Sequence, residues 1–176
     1  MKITKEFLHE HSACADGLKF VTKNNLIDLE DIDFINKLIE HDKLDWANWL
    51  IVRVMERKQC LAYAIFAAEQ VLSIFEKKYP DDLRPRKAIE AAKKVLESDT
   101  QENRDVAYAA YAYAAAYAAD AAADAAYAAD AAAYAADAAA DAAYAADAAA
   151  YAQMKIKILQ YGISLLKEKE KCVNVG

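Results

Sequence analysis

Apolar side chains recur at helical spacing along most of this chain. Residues 1–25 read as one or two short helices, with Thr4 and Ser12 as N-caps and Gly17 and Asn24-Asn25 as breaks. Over 28–41 the stripe Ile32, Ile35, Leu38 and Ile39 predicts a helix that begins near Asp28 or Asp31. The stretch 43–56 carries Leu44, Trp46, Trp49, Leu50, Val52 and Val54 nearly all round, the pattern of a helix central to a bundle. Its two tryptophans are expected in the core rather than around a ligand. Over 58–78, Leu61, Ile65, Ala68, Leu72 and Phe75 share a face, and Pro80 closes that helix. A turn over Asp81–Arg86 leads into the helix KAIEAAKKVLES, with Pro85 in its first turn, where a missing N–H costs nothing.

The next stretch, Val106–Ala152, follows a different rule. It is almost entirely alanine, the best helix former, and no glycine or proline interrupts it. Its start is expected at two overlapping capping boxes, Ser98/Gln101 and Asp99/Glu102. From Tyr117 onward the exceptions form the stripe Tyr117, Asp120, Asp124, Tyr127, Asp130, Tyr134, Asp137, Asp141, Tyr144 and Asp147, whose order repeats after 17 residues. Five marked positions in 17 residues fall short of the 3.6-residue turn, so the stripe drifts by roughly 100° per repeat and must supercoil or be reset by a break. Past residue 152 two interleaved sets, Met154, Ile158, Tyr161, Leu165 and Ile156, Leu159, Ile163, Leu166, make a wide apolar face. That helix is expected to dock back on the earlier ones despite Gly162, and its charged tail to fray from Lys167.

The architecture this implies is all-α: a helical bundle in which a long alanine-rich C-terminal helix, or helix pair, packs on shorter N-terminal helices. The 176 residues are read as one domain, with compact helices over 1–99, the repeat helix over 100–152 and a final helix and tail over 153–176. Three glycines and two prolines agree with that class. A net charge of −6 argues against a general electrostatic footprint for nucleic acid, so no direct nucleic-acid binding is expected. Cys14, Cys60 and Cys172 are odd in number and far apart, which suits free thiols. With no hydrophobic leader core and no uninterrupted apolar span, the expectation is a soluble cytoplasmic protein without a membrane partner.

A search for chemistry finds little to support an enzyme. No phosphate-cradling glycine loop, HExxH or nucleophile elbow is present, and His9, His11 and His41 are the only histidines. His9, His11 and Cys14 lie close in sequence, but His-x-His sets the rings roughly 200° apart on a helix, so no metal or cofactor is expected. The stripe aspartates lack the histidines that accompany carboxylates in metal-binding bundles. Tyr supplies broad amphipathic contact area and Asp a single sign of charge, so the stripe reads as a partner-binding edge for a basic protein, a toxin or nuclease effector. Successive aspartates fall four to seven residues apart, which is roughly 6–10 Å along a helix. That spacing makes an acidic nucleic-acid mimic, of the anti-CRISPR kind used by phages, the alternative. Close-packing alanine faces make a self-associating helix, such as a homodimer, a third. Arg84 and Arg86 either bind an anion or pair internally with Asp81, Asp82 or Glu69, and internal pairing is the expectation.

Three segments together carry a resemblance: the helix CLAYAIFAAEQVLSIFE ending near a proline, the segment DDLRPRKAIEAAKKV, and the punctuated alanine run. Over about residues 44–160 the chain resembles a family of alanine-rich, Imm-5-like immunity proteins of bacteria and phages. The most specific piece is Arg-Pro-Arg-Lys-Ala-Ile-Glu-Ala-Ala from Arg84 onward. The resemblance implies a small cytosolic protein that neutralises a toxin by binding it. Relatives punctuate the run with Trp and Arg, so Tyr and Asp here reverse the sign of the stripe.

Overall fold

The structure is a computed structural model that describes residues 1–114 and 148–173. Among these residues there are eight helices and no strand, so the chain is all-α, as its periodicity predicts. It divides into two compact units, Met1–Val54 and a second that begins at Met55.

The first unit holds α1 (Lys5–Glu10), α2 (Ala15–Lys23), α3 (Asp31–Glu40) and α4 (Leu44–Val54), with α3 packed on α4. Thr4 caps α1 as expected, its Oγ1 accepting from the Phe7 N–H at 3.2 Å. Ser12 does not cap α2. It takes a left-handed φ of 57° and belongs to the end of α1, where the Ala13 N–H reaches back to the Leu8 carbonyl at 2.9 Å. Cys14 caps α2 instead, its Sγ accepting from the Gly17 N–H at 3.3 Å. Two other helices close the same way: Asn25 (φ 54°) with Leu26 N–H to Val21 O, and Asp42 (φ 55°) with Lys43 N–H to Leu38 O. The carbonyls used belong to Leu8, Val21 and Leu38, all buried. Short polar residues thus take the left-handed position usually given to glycine.

The expected 28–41 helix is shorter, beginning at Asp31, because Asp28 (φ 66°) is drawn out of helical geometry. Its N–H donates to the Ile3 carbonyl at 2.9 Å, while Ile3 N–H donates to Leu29 O at 2.9 Å, tying the start of the chain to the α2–α3 loop. The Met1 amine then bridges the buried Asp31 carboxylate at 3.0 Å and that of Glu30 at 3.1 Å. Burial opposes charge on this amine, but the bonds from Asp31 and Glu30 outweigh it and leave its pKa raised. Ile3, Phe34, Ile35, Leu38, Leu50 and Ile51 are each at most 2 % exposed and form the unit's apolar interior. Trp46 and Trp49 are half-buried, not core residues as expected. Cations lie over their rings, Lys43 Nζ 5.3 Å from the Trp46 ring centre and the Arg53 guanidinium 4.2 Å from that of Trp49.

The second unit holds α5 (Arg57–Lys78), α6 (Arg84–Glu97), α7 (Gln101–Ala114) and α8 (Ala148–Val173). Helix α5 packs on α6 and on α8, and α6 packs on α7. Leu61 and Ile65 of α5, Ile89, Ala91, Ala92 and Val95 of α6, and Ala107 of α7 share one core, with Ala68, Leu72 and Leu96 at its edge. The last helix docks back as expected, with Ile158, Leu159, Ile163 and Leu166 buried. Gln59 Nε2 donates to the Leu165 carbonyl at 2.6 Å and Lys157 Nζ to Gln70 Oε1 at 2.7 Å, an antiparallel register between α5 and α8. Phe66 stacks on Tyr161 between them at 4.1 Å. Helix α8 runs through Gly162 and, against expectation, through the charged tail to Val173, since Lys and Glu are good helix formers with no breaker among them.

Helix α7 begins where predicted but by other residues. Ser98 is spent ending α6, its N–H donating to Lys94 O at 2.9 Å. Thr100 does the capping, accepting from the Asn103 N–H at 3.2 Å. Gln101 turns to Asp105 and Asp99 to two arginines, so neither expected box forms. Cys14 and Cys60 are not joined in a disulfide, in line with their spacing, and burial pushes the Cys60 thiol up to about 11.

Candidate functional site

The one proline-bearing connection in the chain lies between α5 and α6, and it is built by charge. Helix α5 stops at Tyr79, where Pro80 follows and cannot continue the ladder. Helix α6 opens on Arg84-Pro85, with Pro85 in the first turn, as predicted. Leu83 stands at the cap position and has no side chain to offer the free N–H groups. Asp82 supplies it, Oδ1 accepting from the Arg84 N–H at 3.1 Å in a local aspartate turn.

The same carboxylate grips the Arg84 side chain with two bonds, Nε to Oδ1 at 2.8 Å and Nη2 to Oδ2 at 2.6 Å. Those bonds hold the Asp82 carboxyl at about 2, below its ordinary 3.8, and raise Arg84 in turn. Arg86 reaches across to α5, where Nε and Nη2 each meet Glu76 at 2.8 Å, a second planar fork. Two turns further along the seam, Lys93 pairs with Glu69 at 2.6 Å. Internal pairing of both arginines is therefore the outcome. Asp82 is one of the three expected acids, whereas Glu69 is taken by Lys93 and Glu76 replaces it for Arg86.

Both forks fix the backbone of a turn that carries apolar groups to the surface. Tyr79 is 47 % and Leu83 49 % exposed, and Ile74 on the last stretch of α5 is 41 % exposed. Tyr79, Pro80, Asp81, Asp82, Leu83, Arg84 and Lys87 line an open groove of about 680 Å³. Phe75 lies against Tyr79 at 5.0 Å between ring centres and holds it in place. The turn thus presents exposed aromatic and aliphatic side chains of the kind that serve as contact surface. Sequence reasoning found the arginines here but not Tyr79 and Leu83, because a single exposed apolar residue in a turn breaks no periodicity.

A second cluster roots the alanine-rich helix. Asp99 accepts from Arg104 Nε at 2.6 Å and faces Arg57 at 3.3 Å, which pulls its carboxyl below the usual range. Asn103 adds bonds to the Ser98 carbonyl at 2.7 Å and the Lys94 carbonyl at 3.3 Å. The ends of α5, α6 and α7 are held there together.

Of the residues expected to bind a partner, Tyr117, Asp120, Asp124, Tyr127, Asp130, Tyr134, Asp137, Asp141, Tyr144 and Asp147 lie outside the described residues. So does the question of one alanine helix or two. His11 and Cys14 are engaged locally. His11 stacks on Phe7 at 4.1 Å with Nδ1 2.9 Å from the Phe7 carbonyl, and Cys14 caps α2. Among the described residues no helix is long and apolar enough to cross a membrane.

The family model described as "Imm-5 like putative immunity protein" matches residues 51–174, about two thirds of the chain and all of the turn and seam just described. No curated protein and no solved structure matches.

Proposed function

The chain belongs to the Imm-5 like putative immunity protein family, and on that premise we propose that it neutralises a protein partner by binding it, without catalysis of its own. The family match carries this reading, and the matched span includes the Tyr/Asp stripe. Six stripe aspartates, Asp120, Asp124, Asp130, Asp137, Asp141 and Asp147, offer one sign of charge to a basic toxin or nuclease effector. The tyrosines interleaved with them offer large contact area at low entropic cost.

The test begins with a pull-down from the native host, which should recover a basic toxin or nuclease effector. Co-expression should restore growth, and the purified pair should bind with an affinity that falls as salt rises. Converting Asp130, Asp137 and Asp141 together to Asn should weaken binding roughly tenfold or more and flatten the salt dependence. Unchanged affinity in the triple variant removes the stripe as the contact surface. Failure of the native protein to bind or protect removes the immunity reading itself.

A further inference from the structure

We infer that Met1–Val54 is a separately folding module joined to the family body, so that the first unit can open while the second stays intact. Three observations converge on the same point in the chain. The compact units divide between Val54 and Met55, and the family match begins at residue 51, within one helical turn of that division. The core shared by α5, α6 and α7 takes every member from Leu61 onward, among the described residues. The first unit meanwhile has the parts a small cooperative unit needs. Phe34, Ile35, Leu38 and Ile3 are almost fully buried, three helices end in closed turns over buried residues, and the chain start is bonded to the α2–α3 loop and to Asp31.

A domain of about 50 residues sits near the lower limit at which a single core sustains folding. The backbone ladder between Ile3, Asp28 and Leu29, together with the Met1–Asp31 bond, adds long-range closure that four short helices alone would lack. The role shared by the family then resides in the second unit, and the first is an addition to it. This goes beyond the binding reading and does not depend on it, because its test needs no partner.

Hydrogen exchange read by mass spectrometry on the full chain decides the matter. Phe34→Ala removes a side chain that is 1 % exposed and should speed exchange across α1–α4 by at least roughly 100-fold. Exchange in α5 and α6 should stay within about threefold of the native protein. Ile89→Ala, at a site 6 % exposed in the second unit, should give the reciprocal pattern. Acceleration by comparable factors in both units, from either variant, would overturn the inference. So would a Phe34→Ala protein in which α1–α4 exchange no faster than before.

Discussion

The first unit and the α5–α7 seam of the second are both helical, yet they are held by opposite means. In the first, short helices of six to eleven residues surround large side chains such as Phe34, Ile35 and Leu50. In the seam, α6 turns Ala88, Ala91 and Ala92 inward with Ile89 and Val95, and α7 answers with Ala107. Alanine lets helix axes approach closely but buries little area per residue, so the seam gains less from the hydrophobic effect for each position it uses. Ionic pairs stand along it where bulk is missing: Arg86–Glu76, Lys93–Glu69 and the Arg57–Asp99–Arg104 cluster. In the first unit two of the ion pairs, Lys19–Asp16 and Lys37–Glu40, sit within one helical turn, and the Met1 amine on buried Asp31 is a long-range pair. Two helical units of one chain can thus fail in different ways. One is sensitive to lost volume, the other to added volume and to charge.

Lost volume should have the largest effect. Phe34→Ala is expected to cost the first unit about 3–5 kcal/mol, enough to leave a unit of this size largely unfolded. Urea titration followed by Trp46 and Trp49 fluorescence reads it directly, since both tryptophans of the chain lie in that unit. A loss below about 1 kcal/mol would mean that the apolar interior of α3 is not what holds the unit together.

Added volume should matter in the seam. Ala91 is 5 % exposed and faces the shared core. Ala91→Leu improves nothing in helix propensity and forces methylenes into a close-packed interface, at an expected cost of about 1–3 kcal/mol. Thermal unfolding followed by far-ultraviolet circular dichroism checks the sign. A stabilised variant would show that the alanine seam has room to spare, and the contrast with the first unit would weaken.

Much of this arrangement was legible in the chain. Helix class and approximate boundaries followed from the 3.6-residue recurrence of Ile32, Ile35, Leu38 and Ile39 and of Leu61, Ile65 and Leu72, because buried faces must repeat with the helix. The α8 face was legible for the same reason, and so was Pro85 at the start of α6. Helix ends were harder to read. Ser12, Asn25 and Asp42 all take left-handed turns, and only Asn25 belongs to a pair that signalled a break, since the choice of Ser or Asp depends on what the turn closes over. Capping at α7 went to Thr100 because Asp99 had arginines to satisfy, Arg57 from a helix more than 40 residues earlier. Long-range charge partners of this kind, Glu76 for Arg86 among them, leave no periodic trace. The stripe itself was legible only as a pattern; its drift demands a supercoil or a break, and periodicity alone does not choose between them.

Charge should have the smallest and most specific effect, and pH can isolate it at Asp82. This carboxyl ionises at about 2 in the folded chain against an ordinary 3.8. A depressed folded value means that the unfolded chain binds more protons between those limits, so stability rises with pH across the window. The contribution is therefore complete above about pH 4 and is lost as the pH falls toward 2. Asp82→Asn keeps an oxygen to accept from the Arg84 N–H but removes the charge that grips its side chain. The native protein and this variant should differ in urea midpoint at pH 6 and converge as acid protonates Asp82. Because the pair is solvent-exposed, 1 M salt should shrink the difference at pH 6 as well. If the gap instead persists undiminished at pH 2, the charge of Asp82 is not its source, and the turn between α5 and α6 owes less to ionic pairing than its layout indicates.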